Sequence, residues 1–277
     1  MKKIIALLLA MAMVLSFAAC ASNEAPATEA PSTEAPATAA PAAEAPATDA
    51  PAEEEPTVMT HEEYIAAELD TDVVIETYVQ GKQSWWNDAA SLYTQDKDGA
   101  YFAYNITCTE EDYKKLEKGT KVRISGTKGE WAGEVEVMDG SLEILDGKYV
   151  AEAFDVTSLM GKDELIDHQN EFVTFKGLTV EASTDADGNE AAFLYNWDGS
   201  GAEGSDSDLY FNASVNGQTF NFVVEYYTCD AEGAYGADTA VYEAVTGLQV
   251  GDVIDLEGFL YWYNGAQPHI TAVSAAA

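Results

Sequence analysis

Cations are scarce in this chain. Its 277 residues carry 13 lysines and arginines against 49 acids, a formal net charge of -36. Setting aside Lys2, Lys3 and the eight acids of residues 21–57 leaves 41 acidic and 11 basic residues over 58–277, a net of -30, so the imbalance belongs to the body of the protein. Such a surface stays soluble and repels phosphate backbones, so no nucleic-acid partner is expected. An acid-rich composition can also mark disorder, but an aromatic fraction of 11% supplies material for a packed core. Histidine is scarcer still. His61, His168 and His269 fall in separate segments, and neither Gly-x-Ser-x-Gly nor His-Glu-x-x-His occurs. With 41 carboxylates no acid/base pair stands out, and a protein without enzymatic activity is expected. The three cysteines, Cys20, Cys108 and Cys229, are too few for a disulfide scaffold. Cys108 and Cys229 are expected as buried free thiols, with a bridge between them as the alternative.

The apolar run Ile4 to Val14 is too short to favour a permanent membrane span. It follows Met1-Lys-Lys and precedes Leu15-Ser-Phe-Ala-Ala-Cys20, the layout of an export signal over 1–20. Small residues directly before a cysteine resemble the lipobox of bacterial lipoproteins, with Phe17 a departure from its usual aliphatic residue. The resemblance implies lipidation of Cys20 and a protein anchored to the cell membrane on its extracytoplasmic face. Residues 21–57 are low-complexity, with Pro26, Pro31, Pro36, Pro41, Pro46, Pro51 and Pro56 at five-residue intervals. Each proline removes a backbone donor and biases its neighbours to extended conformations, so a disordered linker is expected. Fully extended, it would reach roughly 110 Å at about 3.1 Å per residue.

Two copies of one design follow. The first reads Leu116-Glu-Lys-Gly119-Thr-Lys-Val-Arg-Ile-Ser-Gly126, with Gly133 seven residues further on. The second reads Leu248-Gln-Val-Gly251-Asp-Val-Ile-Asp-Leu-Glu-Gly258, with Gly265 seven further on. Around each, the pattern predicts three strands, a short helix and two more strands, with an extra strand before the helix in the second copy. In the first copy these are Val73–Gln80, Ala90–Thr94, Tyr101–Tyr104, a helix over Thr109–Leu116, then Lys121–Gly126 and Glu134–Val137, with Leu142–Leu145 as a candidate addition. In the second they are Phe172–Val180, Ala192–Tyr195, Leu209–Phe211, Thr219–Tyr226, a helix over Thr239–Gly247, then Val253–Tyr263 and Ile270–Val273. Thr60-His-Glu-Glu63 fits a capping box opening a short helix. This order resembles the OB (oligonucleotide/oligosaccharide-binding) fold, a Greek-key barrel with a helix between its third and fourth strands. The resemblance rests on Leu116, Gly119, Gly126, Leu248, Gly251 and Gly258. It implies an all-β fold with short helices: two consecutive OB-like barrels, over 58–154 and 155–277, after the linker.

Two kinds of site suggest themselves. Trp85, Trp86, Trp131, Tyr261, Trp262 and Tyr263 are candidate ligand platforms, because two adjacent rings on a regular strand cannot both point inward. Core packing is the alternative for most of them. Asp96 and Asp98, and Asp185 and Asp187, stand on Asp-Gly turns that place oxygen ligands close together, so calcium is the one cofactor considered. The same turns also serve simply as hairpins. The expected function is a membrane-anchored lipoprotein that binds a carbohydrate, peptide or protein partner. The alternative is a structural or adaptor subunit of a cell-envelope complex with no small ligand.

Overall fold

The computed structural model describes residues 57–185 and 187–276, so Cys20 and the leader and linker up to Pro56 lie outside the described residues. In chain order the elements are α1 (His61–Ala66), β1 (Asp72–Lys82), β2 (Ala89–Gln95), β3 (Ala100–Thr107), α2 (Glu110–Tyr113), β4 (Thr120–Trp131), β5 (Glu134–Lys148) and β6 (Phe154–Asp155). They continue as β7 (Phe172–Glu181), β8 (Ser183–Thr184), β9 (Glu190–Ala191), β10 (Leu194–Tyr195), β11 (Leu209–Val215), β12 (Gln218–Val224), α3 (Ala240–Thr246), β13 (Val253–Phe259) and β14 (His269–Ala275). Among the described residues no helix is long and apolar enough to cross a membrane.

The first five strands close into a barrel in the order β1-β2-β3-β5-β4. All neighbours are antiparallel except β3 and β5, which run parallel. The second set repeats that circuit. There β7, β11, β12, β14 and β13 follow one another, the β11–β7 pairing closes the ring, and the parallel contact is β12 with β14. In each barrel a helix, α2 or α3, joins the third strand to the fourth. The expected architecture of two consecutive OB-like barrels is borne out.

Period-2 burial builds each interior. On β1, Val73, Ile75 and Val79 point inward with Leu92, Ile106, Val122 and Ile124. In the second barrel Phe175, Phe211, Phe222 and Leu256 do the same. The repeated glycines have a mechanical explanation. Gly119 and Gly251 lead into the fourth strand at φ +91° and +94°, a region that side chains with a Cβ disfavour. Gly126 and Gly258 sit at register shifts in β4 and β13, where the backbone crosses the fifth strand. A Cβ on Gly126 would stand 2.7 Å from the Met138 carbonyl oxygen. One on Gly258 would stand 2.8 Å from Ile270 Cα and closer still to the His269 carbonyl. These obstacles are backbone and cannot rotate away. Gly258→Ala is therefore expected to destabilise the protein by about 1–3 kcal/mol, read as a lower urea midpoint at unchanged slope.

Some elements differ from the sequence reading. The expected segments Glu134–Val137 and Leu142–Leu145 are one 15-residue strand, β5, carried through Gly140. The expected strand Ala192–Tyr195 shrinks to Leu194–Tyr195, and the one expected to reach Tyr263 ends at Phe259. There the Leu260 N–H turns aside to the Glu171 carbonyl at 3.0 Å.

The two barrels share a seam. Tyr93 and Phe102, on the outward face of β2–β3, are buried against Phe172 and Phe259 of the second barrel. Tyr93 stacks on Phe259 with centroids 4.3 Å apart and planes within 4°. Its hydroxyl donates to Glu225 Oε2 at 2.8 Å and lies 2.6 Å from His269 Nδ1, which must then be the donor to it. Gln83 Nε2 donates to the same Glu225 oxygen at 2.7 Å. Backbone bonds also cross, from Ser84 N–H to Tyr227 O (2.7 Å) and from Asn264 N–H to Ala132 O (2.6 Å).

Candidate functional site

OB barrels present ligands to the β2–β3 face and to the loops joining the first strand to the second and the fourth to the fifth. In the first barrel the seam covers Tyr93 and Phe102 but leaves Tyr104 and Asn105 exposed. A cleft of about 850 Å³ opens beside them. Its walls are Trp85 and Trp86 from the β1–β2 loop, Tyr104 from β3, Tyr113 from α2, and Tyr227 and Tyr235 from the segment after β12.

The rings divide the work. Trp85 is fixed by its indole N–H, which donates to the Cys108 carbonyl at 2.8 Å. Trp86 is 79% exposed, and Tyr104, Tyr227 and Tyr235 are also exposed. Tyr113 is held by its hydroxyl, which donates to the Gln83 carbonyl at 2.8 Å. The Lys82 ammonium stands 4.0 Å over its ring. Burial pushes the Lys82 and Lys118 ammonium groups below their usual range. Lys114, on the rim, pairs with Glu110 at 2.8 Å. Asp206 supplies an acid and accepts from the Tyr227 hydroxyl at 3.2 Å.

The sequence candidates part company in space. Trp85 and Trp86 line the cleft. Tyr261 lies in the seam, stacked on His269 at 4.0 Å, and Trp262 packs against the second core while its backbone N–H donates to Glu134 Oε2 at 2.8 Å. Trp131, the last residue of β4, and Tyr263 are exposed next to the Ala132 and Asn264 that a backbone bond ties together. Asp96 Oδ1 accepts from the backbone N–H of Asp98 (2.7 Å) and Gly99 (3.0 Å). Asp185 Oδ1 accepts likewise from Asp187 (2.9 Å) and Asn189 (2.8 Å). Both are hydrogen-bonded turn formers, and among the described residues no group of three or more His, Cys, Asp or Glu side chains could hold a metal ion. Cys108 and Cys229 are free thiols. Tyr104, Tyr113, Tyr227 and Tyr235 were missed by sequence reasoning, because they come from separate segments that only the barrel topology brings to one cleft.

The fold defines a tandem OB-fold protein. No protein-family model matches the chain, and no curated protein matches it. Solved structures do. One described as the tetrameric p202 HIN2 is 10% identical with a TM-score of 0.31, covering 76% of this chain and 96% of that one. A murine DNA-binding protein bound with double-stranded DNA is 11% identical with a TM-score of 0.31, covering 74% and 96%. A replication protein A heterotrimer bound to single-stranded DNA is 11% identical with a TM-score of 0.27, covering 73% and 49%. At that identity and those scores, what these proteins bind stays with them.

The exclusion of nucleic acid, which accompanied the expectation of a carbohydrate, peptide or protein partner or of an adaptor role, is corrected; two of these neighbours are described as bound to DNA. The physical reason is that the exclusion used the charge of the whole molecule. Locally the charges are closer to balance: Lys114 stands on the rim of the aromatic cleft with Glu110 and Asp206, and Lys82, Lys114 and Lys118 line the adjoining depression with Glu117, Asp230 and Glu232.

Proposed function

We propose that this chain is a non-catalytic OB-fold protein that holds the bases of single-stranded nucleic acid by stacking them in the aromatic cleft. The observation that carries this reading is the set of outward rings, Trp86, Tyr104, Tyr227 and Tyr235, on and beside the β2–β3 face. Every base has a π-face, and stacking on an aromatic side chain is worth about 1–3 kcal/mol per base. Lys114 stands on the rim of the cleft, and Lys82 and Lys118 line the depression beside it, where they offer charge to a phosphate chain. Because few lysines take part, binding should depend only weakly on salt. The histidines support a role without catalysis, since each is engaged elsewhere. His61 packs edge-on against Tyr101, His168 pairs with Glu171 at 2.9 Å, and His269 belongs to the seam.

The test is fluorescence anisotropy with a labelled oligothymidylate, its duplex, and thymidine as competitor. Native protein should prefer the single strand to the duplex, and Trp86→Ala should weaken it about tenfold, the lower range for one stacked base. Competition by thymidine at its own affinity would assign recognition to the base alone. Binding of neither strand nor nucleoside would end the reading.

The same proposal places the protein at the cell membrane on the extracytoplasmic face, with a signal over 1–20, lipid on Cys20, a linker over 21–57 and barrels over 58–154 and 155–277. The sequence Phe17-Ala-Ala-Cys20 supports it. Labelled palmitate should enter the native chain and not Cys20→Ala; label in both would refute the anchor.

A further inference from the structure

Among the described residues, three aromatic rings are capped by lysines of the chain itself. The Lys82 ammonium stands 4.0 Å from the centre of the Tyr113 ring, Lys118 4.4 Å from that of Phe172 and Lys128 5.1 Å from that of Tyr64. Lys128 also donates to the carbonyls of Tyr64 (2.9 Å), Ile65 (2.9 Å) and Ala67 (2.8 Å) at the end of α1. A cation is drawn to such a ring because its π-electrons make the face negative. The second-barrel wall of the aromatic cleft is different. Tyr227 and Tyr235 line it and are exposed, and among the described residues no lysine stands over either ring.

These two rings belong to a tight cluster with an acid at its edge. Tyr227 and Tyr235 have centroids 5.9 Å apart and planes at 40°. Tyr226 packs edge-on to both, at 5.2 Å from Tyr227 and 6.0 Å from Tyr235. Asp206 Oδ2 accepts from the Tyr227 hydroxyl at 3.2 Å, and the same carboxylate holds the Tyr226 hydroxyl above its usual range. The residues after Asp206 are pinned. The Ser207 carbonyl accepts from the Tyr242 hydroxyl at 2.9 Å, and Asp208 Oδ1 accepts from the Tyr226 N–H at 2.8 Å. Tyr235 follows a turn closed by Asp230 Oδ1, which accepts from the N–H groups of Glu232 (3.0 Å) and Ala234 (2.9 Å). The wall is thus built before a ligand arrives.

Charge narrows the choice of ligand. The charged residues lining the cleft are Glu110, Lys114 and Asp206. Glu110 and Lys114 pair at 2.8 Å, which leaves the charge of Asp206 over, in a chain whose formal net charge is -36. A cation is therefore favoured at this wall. A metal ion needs six or more oxygens, and a bare ammonium group is strongly hydrated, whereas the wall offers ring faces and one carboxylate. A methylated ammonium group suits ring faces. We propose that Tyr227 and Tyr235 bind a quaternary ammonium group, with Asp206 as its counter-charge. A base uses the same kind of face, so cation and nucleic acid would exclude each other from the cleft.

The experiment is calorimetric titration of the full-length chain with choline, its uncharged isostere 3,3-dimethylbutan-1-ol, and ethanolamine. Choline should bind at least about tenfold more tightly than either. Tyr235→Phe keeps the ring face and should hold choline within about twofold of native, while Tyr235→Leu and Asp206→Asn should each lose about fivefold. The isostere or ethanolamine binding as tightly as choline would overturn the proposal, as would unchanged choline affinity in Tyr235→Leu or Asp206→Asn, or no heat with choline. Labelled oligothymidylate on the same preparation keeps the two ligands apart. Oligonucleotide binding without choline binding would remove the cation and leave base stacking standing, and choline binding alone would do the reverse. Where both bind, choline should displace the oligonucleotide; binding of both without displacement would put the cation outside the cleft and overturn the proposal.

Discussion

Replacing Tyr93 with alanine is expected to cost about 3–5 kcal/mol and to split one unfolding transition into two. The ring is fully buried, stacked on Phe259 at 4.3 Å and tilted on Phe102 at 4.9 Å. Its removal leaves a void between two preformed barrels that cannot collapse to fill it. The hydroxyl goes too, stripping Glu225 Oε2 and His269 Nδ1 of a shared partner. Tyr93→Phe separates the two losses, since it keeps the stack and should cost about 1–3 kcal/mol for the unmatched polar groups. Each barrel has its own interior, so weakening the seam should let them unfold independently. Urea denaturation followed by both tryptophan fluorescence and circular dichroism reads this directly. Coincident curves at the native midpoint for Tyr93→Ala would show that the seam contributes little.

The second large effect is on pH. Burial raises Glu134 from an ordinary 4.5 to about 8, against the Asn170, Trp262 and Gln169 hydrogen bonds that pull the other way. Burial raises neighbouring Glu136 to about 7. The folded protein therefore holds these protons more tightly than the unfolded chain does. The stability they contribute is complete below about pH 4.5 and drains away as pH rises through 7 and 8. At about 1.4 kcal/mol per pH unit, Glu134 alone accounts for a loss on the order of 3–5 kcal/mol. Glu225 works in the opposite direction. Burial acts to raise it, but His269, Tyr93 and Gln83 together outweigh that and hold it at about 2. Its contribution is present above about pH 4.5 and is lost as pH falls toward 2. Stability should thus peak near pH 5, with the alkaline limb flattened in Glu134→Gln and the acid limb retained. Urea midpoints across pH 3–9 decide it, and a native curve level from pH 5 to 8 would remove Glu134 from the account.

What could be read before folding, and what could not, follows from how local each signal is. The glycine spacing in Gly119/Gly126 and Gly251/Gly258 announced the barrel twice, because a positive φ and a strand crossing are demands made by a few neighbouring residues. Thr60 and Glu63 announced α1 for the same reason, and both halves of their reciprocal cap are present. The end of β13 was misjudged because Leu260 is drawn off by Glu171, 89 positions earlier in the chain. Trp85 and Trp86 stood out as a conspicuous pair. Nothing near Tyr104 or Tyr235 in the chain marks them as facing that pair, since the seam that assembles the cleft is a long-range product. Glu134 was equally hidden: one acid among 49 becomes distinctive only when the fold buries it completely.

Lys128 has a mechanical consequence. By grasping three carbonyls at the end of α1, and with Met59 N–H bonded to Val74 O at 2.8 Å, it fastens the first described segment to two adjacent strands of a closed cylinder. Tension arriving from upstream would load several bonds in parallel instead of unzipping them one after another. A cylinder has no free edge at which tearing could begin. A protein pulled from that end would yield late and abruptly, with the load borne by α1 and the β1–β4 pair before it reached either aromatic cleft or seam.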